Sequence, residues 1–370
     1  MPVLVAIADQ LLAPVPGGTG RYTRELLRAM AATAPAGWEL ATVVSRSGDP
    51  AAARIPGVAG PRVLPLPRRA LSAAWEHGLP LWPGGDAVHA MTPLAPPVRN
   101  RHLVVTVHDT VAWTCPQTLT RRGAHWHRRM IARAARNAAV LVVPTSAVAA
   151  DLARRLPVRA AVRVIGEGVP AALTAPPADA DARAAQLDLP ERYVLAVGTV
   201  EPRKGFDWLV RAMARPEAPD VPLLVAGRPG WGQLDLQRIA EESGMAQQLR
   251  LLGPVSDAEL AVLLHRASAL AAPSLDEGFG LPVVEAMACG VPVVHSDAPA
   301  LVEVAGGAGS VVPRTDPAAL AVALRTAVED RERRNEMITA GYRRAGQFSW
   351  EKAAKQVWEL HQEIAESPRL

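Results

Sequence analysis

The sequence has little cysteine, little lysine and no long apolar run. Two cysteines among 370 residues, Cys115 and Cys289, exclude a framework of disulfide bridges and fit a reducing compartment. No stretch approaches the ~20 consecutive apolar residues of a membrane span. The amino terminus also lacks the basic lead and cleavage signal of an export peptide. We therefore expect a cytoplasmic protein with no segment inside the bilayer.

Aromatic residues and net charge are also scarce. The chain has three tyrosines, three phenylalanines and a formal net charge of only +4. A mild positive balance favours anionic partners without naming one. Without a recognised nucleic-acid motif, a basic nucleic-acid-binding protein is the weaker alternative. Arginine supplies nearly all the positive charge, because Lys204, Lys352 and Lys355 are the only lysines. The wealth of Ala, Arg and Pro is typical of proteins encoded by GC-rich bacterial genomes.

Short apolar runs alternate with helical patterns along most of the chain, which is typical of βα units around a parallel sheet. Seven such runs precede residue 170 and six follow residue 190. The stretch between them is rich in Ala, Pro and Asp, and its pattern indicates a linker. We predict two α/β domains with doubly wound parallel sheets, 1–169 and 191–348, joined by a linker at 170–190 and facing a central cleft. A final amphipathic helix within 349–370 is expected to pack back toward the first domain.

The sharpest motif reads EGFGLPVVE and runs from Glu277 to Glu285. A strand is expected to end just before it, and a helix to begin near Leu281 with a proline in its first turn. Free N–H groups at a helix start bind anions, and the glycines at 278 and 280 let an oxygen atom approach the backbone. Both glutamates could accept hydrogen bonds from sugar or ribose hydroxyls. The alternative is that they are ordinary surface charges.

A second motif, GTVEPRK, lies between a predicted strand and helix at residues 198–204. Arg203 offers a planar fork of donors and Lys204 a point charge, which are the two common ways to hold a diphosphate. Such cations would neutralise charge that grows on a leaving phosphate. The alternative is a solvated basic helix start, which the helix dipole disfavours.

Two weaker signals lie in the first half. A glycine-rich turn, GGTGRY at residues 17–22, follows the first predicted strand. It lacks the acidic residue after strand two that a dinucleotide site needs, so a nicotinamide enzyme is not expected. His108 and Asp109 end a central strand, where ligands bind in such sheets. A structural histidine and a capping aspartate are the alternatives.

Taken together, these motifs resemble the large family of retaining GT-B glycosyltransferases of group 1, which includes bacterial α-mannosyltransferases. The resemblance rests on the Glu277/Glu285 pair and the AMACGVPVV segment after it. It also includes GTVEPRK, the glycine turn, the His-Asp pair and PALVEV at residues 299–304. These motifs span nearly the whole chain. The resemblance implies the GT-B fold of two Rossmann-like domains. Gly205, where many relatives carry asparagine, and His295 depart from the family pattern.

The resemblance also implies roles for individual residues. The catalytic set would be His108 near the reacting sugar, Arg203 and Lys204 on the diphosphate, and Glu277 on the transferred sugar. Glu285 would hold the ribose hydroxyls. The donor-binding set would be Gly17, Gly18, Gly198, Arg203, Lys204, Glu277, Gly278, Phe279, Gly280, Leu281 and Glu285.

The resemblance to mannosyltransferases with the His-Asp and EPRK segments also implies the reaction. We expect a hexosyltransferase that moves mannose from GDP-mannose, with α-linkage, to a glycan or lipid-linked acceptor, for example in polysaccharide biosynthesis. UDP-glucose or another nucleotide sugar is the alternative donor, and a sugar-nucleotide epimerase is the rival enzyme. No residue is an obvious covalent nucleophile, so front-face substitution is expected. No metal and no cofactor are expected, because the DAD sequence at 179–181 lies in the linker without a preceding strand.

An arginine-rich helix is predicted at residues 121–138, in a region without acidic residues. At helical spacing, Arg122, Arg129, Arg133 and Arg136 fall along one stripe with Trp126. Such a face can lie on anionic lipid, which predicts peripheral contact with the inner face of the plasma membrane. It could also receive a phosphorylated acceptor, and a solvated helix face is the third alternative.

Overall fold

The computed structural model describes residues 1–98, 102–230, 232 and 234–366. The chain divides into two compact units. The first unit comprises Met1–Trp113, Arg121–Glu167 and the chain from Ser349 onward, and the second comprises Thr114–Thr120 and Gly168–Phe348.

The first unit contains a seven-stranded parallel sheet, which confirms the number of strands predicted before residue 170. The strand order is β3-β2-β1-β4-β5-β6-β7, so the order reverses between β1 and β4. The strands are β1 Val3–Ile7, β2 Glu39–Arg46, β3 Ala59–Pro67, β4 Ala87–Ala90, β5 His102–Thr106, β6 Val140–Val143 and β7 Ala161–Val164. The helices that accompany them are α1 Gly17–Ala32, α2 Arg68–Glu76, the short α3 Val111–Thr114, α4 Arg121–Asn137 and α5 Ser146–Arg155.

The second unit has a six-stranded parallel sheet in the order β10-β9-β8-β11-β12-β13, which also matches the predicted number. Here the order reverses between β8 and β11. The strands are β8 Val194–Val197, β9 Leu223–Ala226, β10 Leu249–Gly253, β11 Ala269–Ala272, β12 Val293–Ser296 and β13 Ser310–Val312. The helices are α6 Ala180–Gln186, α7 Phe206–Met213, α8 Leu236–Glu242, α9 Asp257–Arg266, α10 Leu281–Ala288, α11 Pro299–Ala305, α12 Pro317–Glu329 and α13 Arg331–Ala345.

The central strands were predictable because both of their faces are covered. All four residues of β4, β6 and β9 are buried, so each strand reads as a continuous apolar run. Four helices had no counterpart in the prediction: α2, α3, α6 and α11. Each is nine residues or shorter, and α6 buries only Ala184. With a single buried residue, α6 has no readable apolar period.

The segment 170–190, expected as a linker, is folded onto the second unit. It contains a 3-10 turn, Ala171–Leu173, followed by α6. The carbonyl oxygen of Leu173 accepts hydrogen bonds from His265 Nε2 at 3.1 Å and from Cys289 Sγ at 3.1 Å. These contacts attach the segment to α9 and to the end of α10.

The last helix, α14 Trp350–Glu366, belongs to the first unit. Its Trp358 Nε1 donates a hydrogen bond to the Met30 carbonyl of α1 at 2.9 Å. The ring of Trp350 meets that of Tyr22 edge-on, with centroids 5.8 Å apart. Two buried tryptophans therefore fasten the end of the chain to the first helix.

Membrane-spanning helices were sought across the described ranges. None of the helices there combines the length and the apolar character needed to cross a bilayer.

Candidate active site

Four charged side chains meet at the carboxyl edge of the second sheet. Lys204 Nζ lies 2.5 Å from Glu277 Oε1, and Arg203 Nη1 lies 2.9 Å from Glu277 Oε2. Arg203 Nη2 in turn lies 2.7 Å from Glu201 Oε1. We call these four residues the ion cluster. Its members follow β8 and β11, the two strands between which the order reverses, which is where open α/β sheets bind ligands.

The two cations are held in a short 3-10 turn, Pro202–Lys204, that ends at Gly205. Gly205 has a φ of +66°, and a Cβ there would lie 2.3 Å from the carbonyl oxygen of Pro273. Only glycine fits such a close backbone approach. The departure from the family's asparagine at this position therefore has a steric reason, since it lets the turn press against the loop after β11.

That loop is joined to the cation turn by main-chain and side-chain hydrogen bonds. Leu275 N donates to the Arg203 carbonyl at 2.7 Å, and Arg203 Nη1 donates to the Asp276 carbonyl at 2.9 Å. Ser274 Oγ donates to Glu277 Oε1 at 2.8 Å. The carboxylate of Glu277 is thus fixed by three side chains from two loops, which fixes the geometry of the cluster.

The charge state of Glu277 follows from its surroundings. Burial alone would raise its pKa, but the positive charges of Lys204 and Arg203, with hydrogen bonds from Lys204 and Ser274, lower its pKa to about 2. Glu277 is therefore ionised at any ordinary pH. Its side chain is 10% exposed, and those of Lys204 and Arg203 are 12% and 16% exposed. The cluster is therefore largely enclosed, with a small part of each side chain still exposed.

Helix α10 begins at Leu281 with Pro282 in its first turn, as the sequence predicts. Gly280 precedes it with a φ of +96°, where a Cβ would lie 2.4 Å from Leu301 Cδ2. Phe279 is 4% exposed, and its ring packs edge-on against Phe348 with centroids 5.4 Å apart. Its side chain therefore supports the loop from within the second unit.

Glu285 lies within α10 and is only 2% exposed. Burial, together with the negative charge of Glu285, raises the pKa of the Cys289 thiol to about 12. The alternative reading of Glu277 and Glu285 as ordinary surface charges is therefore wrong for both. A buried carboxylate in an enzyme core is a candidate binding group, because its position is set by packing.

In the first unit, His108 is oriented by the strand next to its own. Its Nε2 lies 2.8 Å from the Met91 carbonyl, and its ring stands edge-on to Tyr22 at 4.6 Å. Burial lowers the pKa of His108, an effect that the hydrogen bond to Met91 partly offsets. A neutral imidazole that donates through Nε2 keeps its lone pair on Nδ1. Nδ1 is then the atom that can accept a hydrogen bond from a hydroxyl group.

The side chain of the neighbouring Asp109 binds the backbone instead. Its Oδ1 accepts a hydrogen bond from Val111 N at 3.0 Å, at the start of α3. The capping alternative for Asp109 is thereby confirmed.

The glycine-rich turn of the first unit is part of a helix. Helix α1 begins at Gly17, so Gly17 and Gly18 form its first turn. Both are exposed, and a Cβ on either would meet no atom within 4 Å. Gly20, in contrast, would press a Cβ to 2.3 Å from Pro16 Cβ. The first two glycines leave the helix start open, while the third is needed for packing.

The structure brings together four of the predicted residues of the second unit. Arg203, Lys204 and Glu277 are in direct contact. Gly198 lies beside the Lys204 side chain, because a Cβ added at Gly198 would be 3.2 Å from Lys204 Cε. His108, Gly17 and Gly18 belong to the first unit. A single site that draws on both units stays a prediction.

Sequence reasoning missed two contributors. Ser274 and Glu201 each bind a cluster member through a side-chain hydrogen bond. Glu201 is visible inside the GTVEPRK motif, but its partner could not be read from spacing. The loop after β9 is a further omission: Val200 N donates to the Arg228 carbonyl at 2.9 Å, and Gly230 N donates to the Val200 carbonyl at 3.0 Å. Its Gly-x-x-Gly pattern directly after a strand was the available signal.

The arginine stripe on α4 is only partly open to solvent. Arg129 Nη1 pairs with Glu76 Oε1 at 3.0 Å, and Arg133 donates to the Trp75 carbonyl. Arg122 and Arg136 are exposed, whereas Trp126 packs against the core of the first unit. Of the stripe predicted at helical spacing, Arg133 is held by the fold, whereas Arg122, Arg129 and Arg136 are exposed, Arg129 while paired with Glu76.

Each aspartate of the DAD sequence at 179–181 forms an ion pair with an arginine. Asp179 pairs with Arg183 at 2.7 Å, and Asp181 pairs with Arg266. Within the ranges that the structure describes, no group of three or more His, Cys, Asp or Glu side chains is placed to hold a metal ion. Metal independence itself stays a prediction.

Comparison with known proteins assigns the family. Residues 16–173 match the family model described as Glycosyltransferase Family 4, and residues 177–344 match that of Glycosyl transferases group 1. O-antigen chain mannosyltransferase B of Escherichia coli is 37% identical over 167 residues, which is 44% of this chain and 44% of that protein. D-inositol 3-phosphate glycosyltransferase of Salinispora tropica is 34% identical over 251 residues, 62% of this chain and 52% of that protein.

Solved structures give the fold. Sucrose-phosphate synthase from Thermosynechococcus elongatus superposes with a TM-score of 0.78 at 24% identity, covering 99% of this chain and 100% of that one. Anabaena HepE in complex with UDP-glucose gives a TM-score of 0.75 at 20% identity, covering 98% and 100%. The chain therefore belongs to the group 1 glycosyltransferases and has the GT-B fold. Its alignments span about half the length, or less, of the curated relatives it matches.

Proposed function

We propose that this protein is a retaining glycosyltransferase that moves a hexose from a nucleotide diphosphate donor to an acceptor, with α-linkage and without a metal ion. One observation carries the proposal. Two cations and an ionised carboxylate are in contact where the strand order of the second sheet reverses, beside the start of α10. Cations and free backbone N–H groups suit a diphosphate, while a carboxylate suits sugar hydroxyls.

The chemistry proposed for this arrangement is charge stabilisation. Arg203 and Lys204 hold the diphosphate and offset the charge that grows on the departing phosphate. Glu277, kept ionised, accepts hydrogen bonds from the sugar. The departing phosphate itself takes the proton from the acceptor hydroxyl, so that transfer occurs on one face of the sugar. Catalysis then consists mostly of positioning and electrostatic stabilisation, with no covalent intermediate on the protein.

The remaining predicted residues take supporting roles in this proposal. Glu285 holds the ribose hydroxyls, and the backbone from Gly278 to Leu281 lies around sugar and phosphate. In the first unit, His108 offers its Nδ1 lone pair to a hydroxyl group, and Gly17 and Gly18 offer the open start of α1.

GDP-mannose is the proposed donor. Mannosyltransferases among the relatives support mannose, and the His-Asp and EPRK segments resemble those of mannosyltransferases. UDP-glucose is the second candidate, because a structural relative of the same fold is a complex with that sugar nucleotide. Neither motif identifies the nucleotide base, so the two donors are separated by experiment.

A thermal-shift panel of GDP, UDP, GDP-mannose and UDP-glucose tests the donor. A ligand at 100 times its dissociation constant stabilises the fold by about 2.7 kcal/mol. We expect stabilisation by the guanine pair and not by the uracil pair. NMR analysis of the product then reports the anomeric configuration. An inverted product, or a sugar–enzyme adduct trapped on any side chain, would contradict the proposed chemistry.

The proposed acceptor is a glycan or a lipid-linked glycan. For lipid-linked substrates, the exposed Arg122 and Arg136 of α4 provide contact with an anionic bilayer, and Arg129 contributes in spite of its pair with Glu76. Arg133 donates a hydrogen bond to the Trp75 carbonyl, so it stabilises the fold and takes no part in the bilayer contact. Sedimentation with vesicles tests this contact. We expect more protein to sediment with phosphatidylglycerol-containing vesicles than with neutral ones, and equal amounts would refute it.

A further inference from the structure

We propose that Glu201 sets the affinity of this site for the nucleoside diphosphate, by orienting Arg203 and by keeping the ion cluster close to neutral. The inference rests on the proposed function. Glu201 precedes the turn Pro202–Lys204. Its carboxylate pairs with Nη2 of Arg203, whereas Glu277 pairs with Nη1. None of the roles given above for sugar or phosphate requires it.

The orientation argument starts from the shape of the guanidinium group. Arginine presents its donors in a rigid planar fork, so a group bound at one end fixes the direction of the other. Glu201 Oε1 accepts from Nη2 at 2.7 Å, while Nη1 donates to Glu277 and to the Asp276 carbonyl at 2.9 Å each. The fork is therefore held between two carboxylates from different loops.

The second argument concerns net charge. Two cations and two carboxylates sum to zero, and the side chains of Glu201 and Arg203 are both less than one-fifth exposed, at 18% and 16%. An entering diphosphate therefore meets cations that already have anionic partners. Removing one carboxylate charge would leave a net charge of +1 in an enclosed place, where water screens it less than at the surface.

The consequence concerns release of the product. A nucleoside diphosphate left after transfer is bound by the same cations that stabilise the leaving charge. A site with uncompensated cations would hold that product tightly and turn over slowly. Glu201 counteracts this by competing for Arg203 whenever the phosphate moves away.

The decisive experiment uses two variants of the full chain. Glu201→Gln keeps an oxygen acceptor of the same shape and removes the charge, whereas Glu201→Ala removes both. We expect Glu201→Gln to bind free nucleoside diphosphate about three- to tenfold more tightly than the wild type. The inhibition constant of the diphosphate in the transfer assay should fall by the same factor. Glu201→Ala should lower kcat more than Glu201→Gln does, because only the alanine variant loses the orienting acceptor.

A matched control is available in the same unit. Glu217 pairs with Arg215 at 3.2 Å, also two residues away, after α7 and outside the ion cluster. Glu217→Gln removes the same charge and should leave diphosphate affinity unchanged within twofold. Isothermal titration calorimetry with GDP and with UDP measures the wild type and the three variants, and melting temperature reports whether each is folded.

The outcomes separate the inference from the function on which it rests. Unchanged or weaker diphosphate binding by folded Glu201→Gln, with binding intact in the wild type, overturns the inference alone, because a purely structural glutamate can only weaken the site when changed. An equal gain in diphosphate affinity in Glu217→Gln also overturns the inference, because the gain would then come from the protein's overall net charge. A wild-type protein that binds neither diphosphate overturns the proposed function itself.

Discussion

Each unit encloses a group of four polar side chains, and the two groups differ in charge. The ion cluster of the second unit contains two cations and two carboxylates. The first unit holds a neutral chain instead: His361 Nε2 lies 3.3 Å from His89 Nδ1, His89 Nε2 lies 3.0 Å from Thr106 Oγ1, and that oxygen lies 3.2 Å from the Tyr22 hydroxyl. We call these four residues the histidine chain.

Exposure explains the difference. Every member of the histidine chain is 2% exposed or less. Burial lowers the pKa of His361 to about 3, and burial with the neighbouring His361 holds the pKa of His89 well below its usual range. A fully enclosed group is cheaper to keep neutral and hydrogen-bonded than charged. The ion cluster retains some contact with water, and its charges compensate one another, which is the state that an anionic ligand can exploit.

The largest expected effect comes from removing a cation. Lys204→Ala should lower the rate of sugar transfer by about 100- to 1000-fold, because the growing phosphate charge loses a fixed positive partner. Initial rates under saturating donor measure it. Lys355→Ala, which breaks an exposed pair with Glu351 in α14, is the control and should change the rate less than twofold. A Lys204→Ala enzyme with more than a tenth of normal activity would sink the assignment of the ion cluster.

The histidine chain should matter for stability. Thr106→Val removes the oxygen that links His89 Nε2 to the Tyr22 hydroxyl, leaving two buried polar groups without that partner. We expect a loss of about 1–3 kcal/mol in the free energy of unfolding. Urea denaturation measures it, and Thr326→Val on the exposed side of α12 should cost less than about 0.5 kcal/mol. Equal effects of the two substitutions would show that the chain adds nothing to the fold.

The histidine chain and the ion cluster should lose their contributions to stability in different pH ranges. His361 has a lowered pKa, so the unfolded chain takes up its proton first. Relative to His361→Leu, the wild type should lose stability as pH falls from 6.5 toward 3, by about 1.4 kcal/mol per pH unit at most. Glu277 also has a lowered pKa, but its stabilisation is complete above 4.5. Relative to Glu277→Gln, the wild type should lose stability only as pH falls from 4.5 toward 2.

Unfolding free energies of the three proteins across this range test the two windows. Losses that begin at the same pH in both comparisons would contradict the assignment of a neutral chain and a charged cluster.

The smallest effect is expected at the DAD sequence. Asp179→Ala and Asp181→Ala each break a pair with an arginine at the surface of the second unit. Both should transfer sugar at the wild-type rate within twofold, and EDTA should leave all three enzymes active. Loss of activity in EDTA would show that the reaction needs a metal ion.

Sequence reasoning succeeded where the signal is local. Inner strands such as β4, β6 and β9 are readable because a strand covered on both faces must be apolar throughout. The start of α10 is readable because glycine and proline have positional meaning at a helix start. It failed where the decisive neighbour lies far along the chain: Arg133 binds a carbonyl 58 residues away, and Ser296 and Gly205 meet backbone of the loop after β11.

The sequence by itself determined the two-sheet architecture, the family and the types of side chain that converge after β8 and β11. Period, turn chemistry and motif order all act over a few residues, so one chain displays them directly. Tertiary structure alone decided which carboxylate faces which cation, that Glu285 is enclosed, and that only part of the arginine helix meets water. Pairing distances and dielectric surroundings are set by residues tens of positions apart, and no local pattern records them.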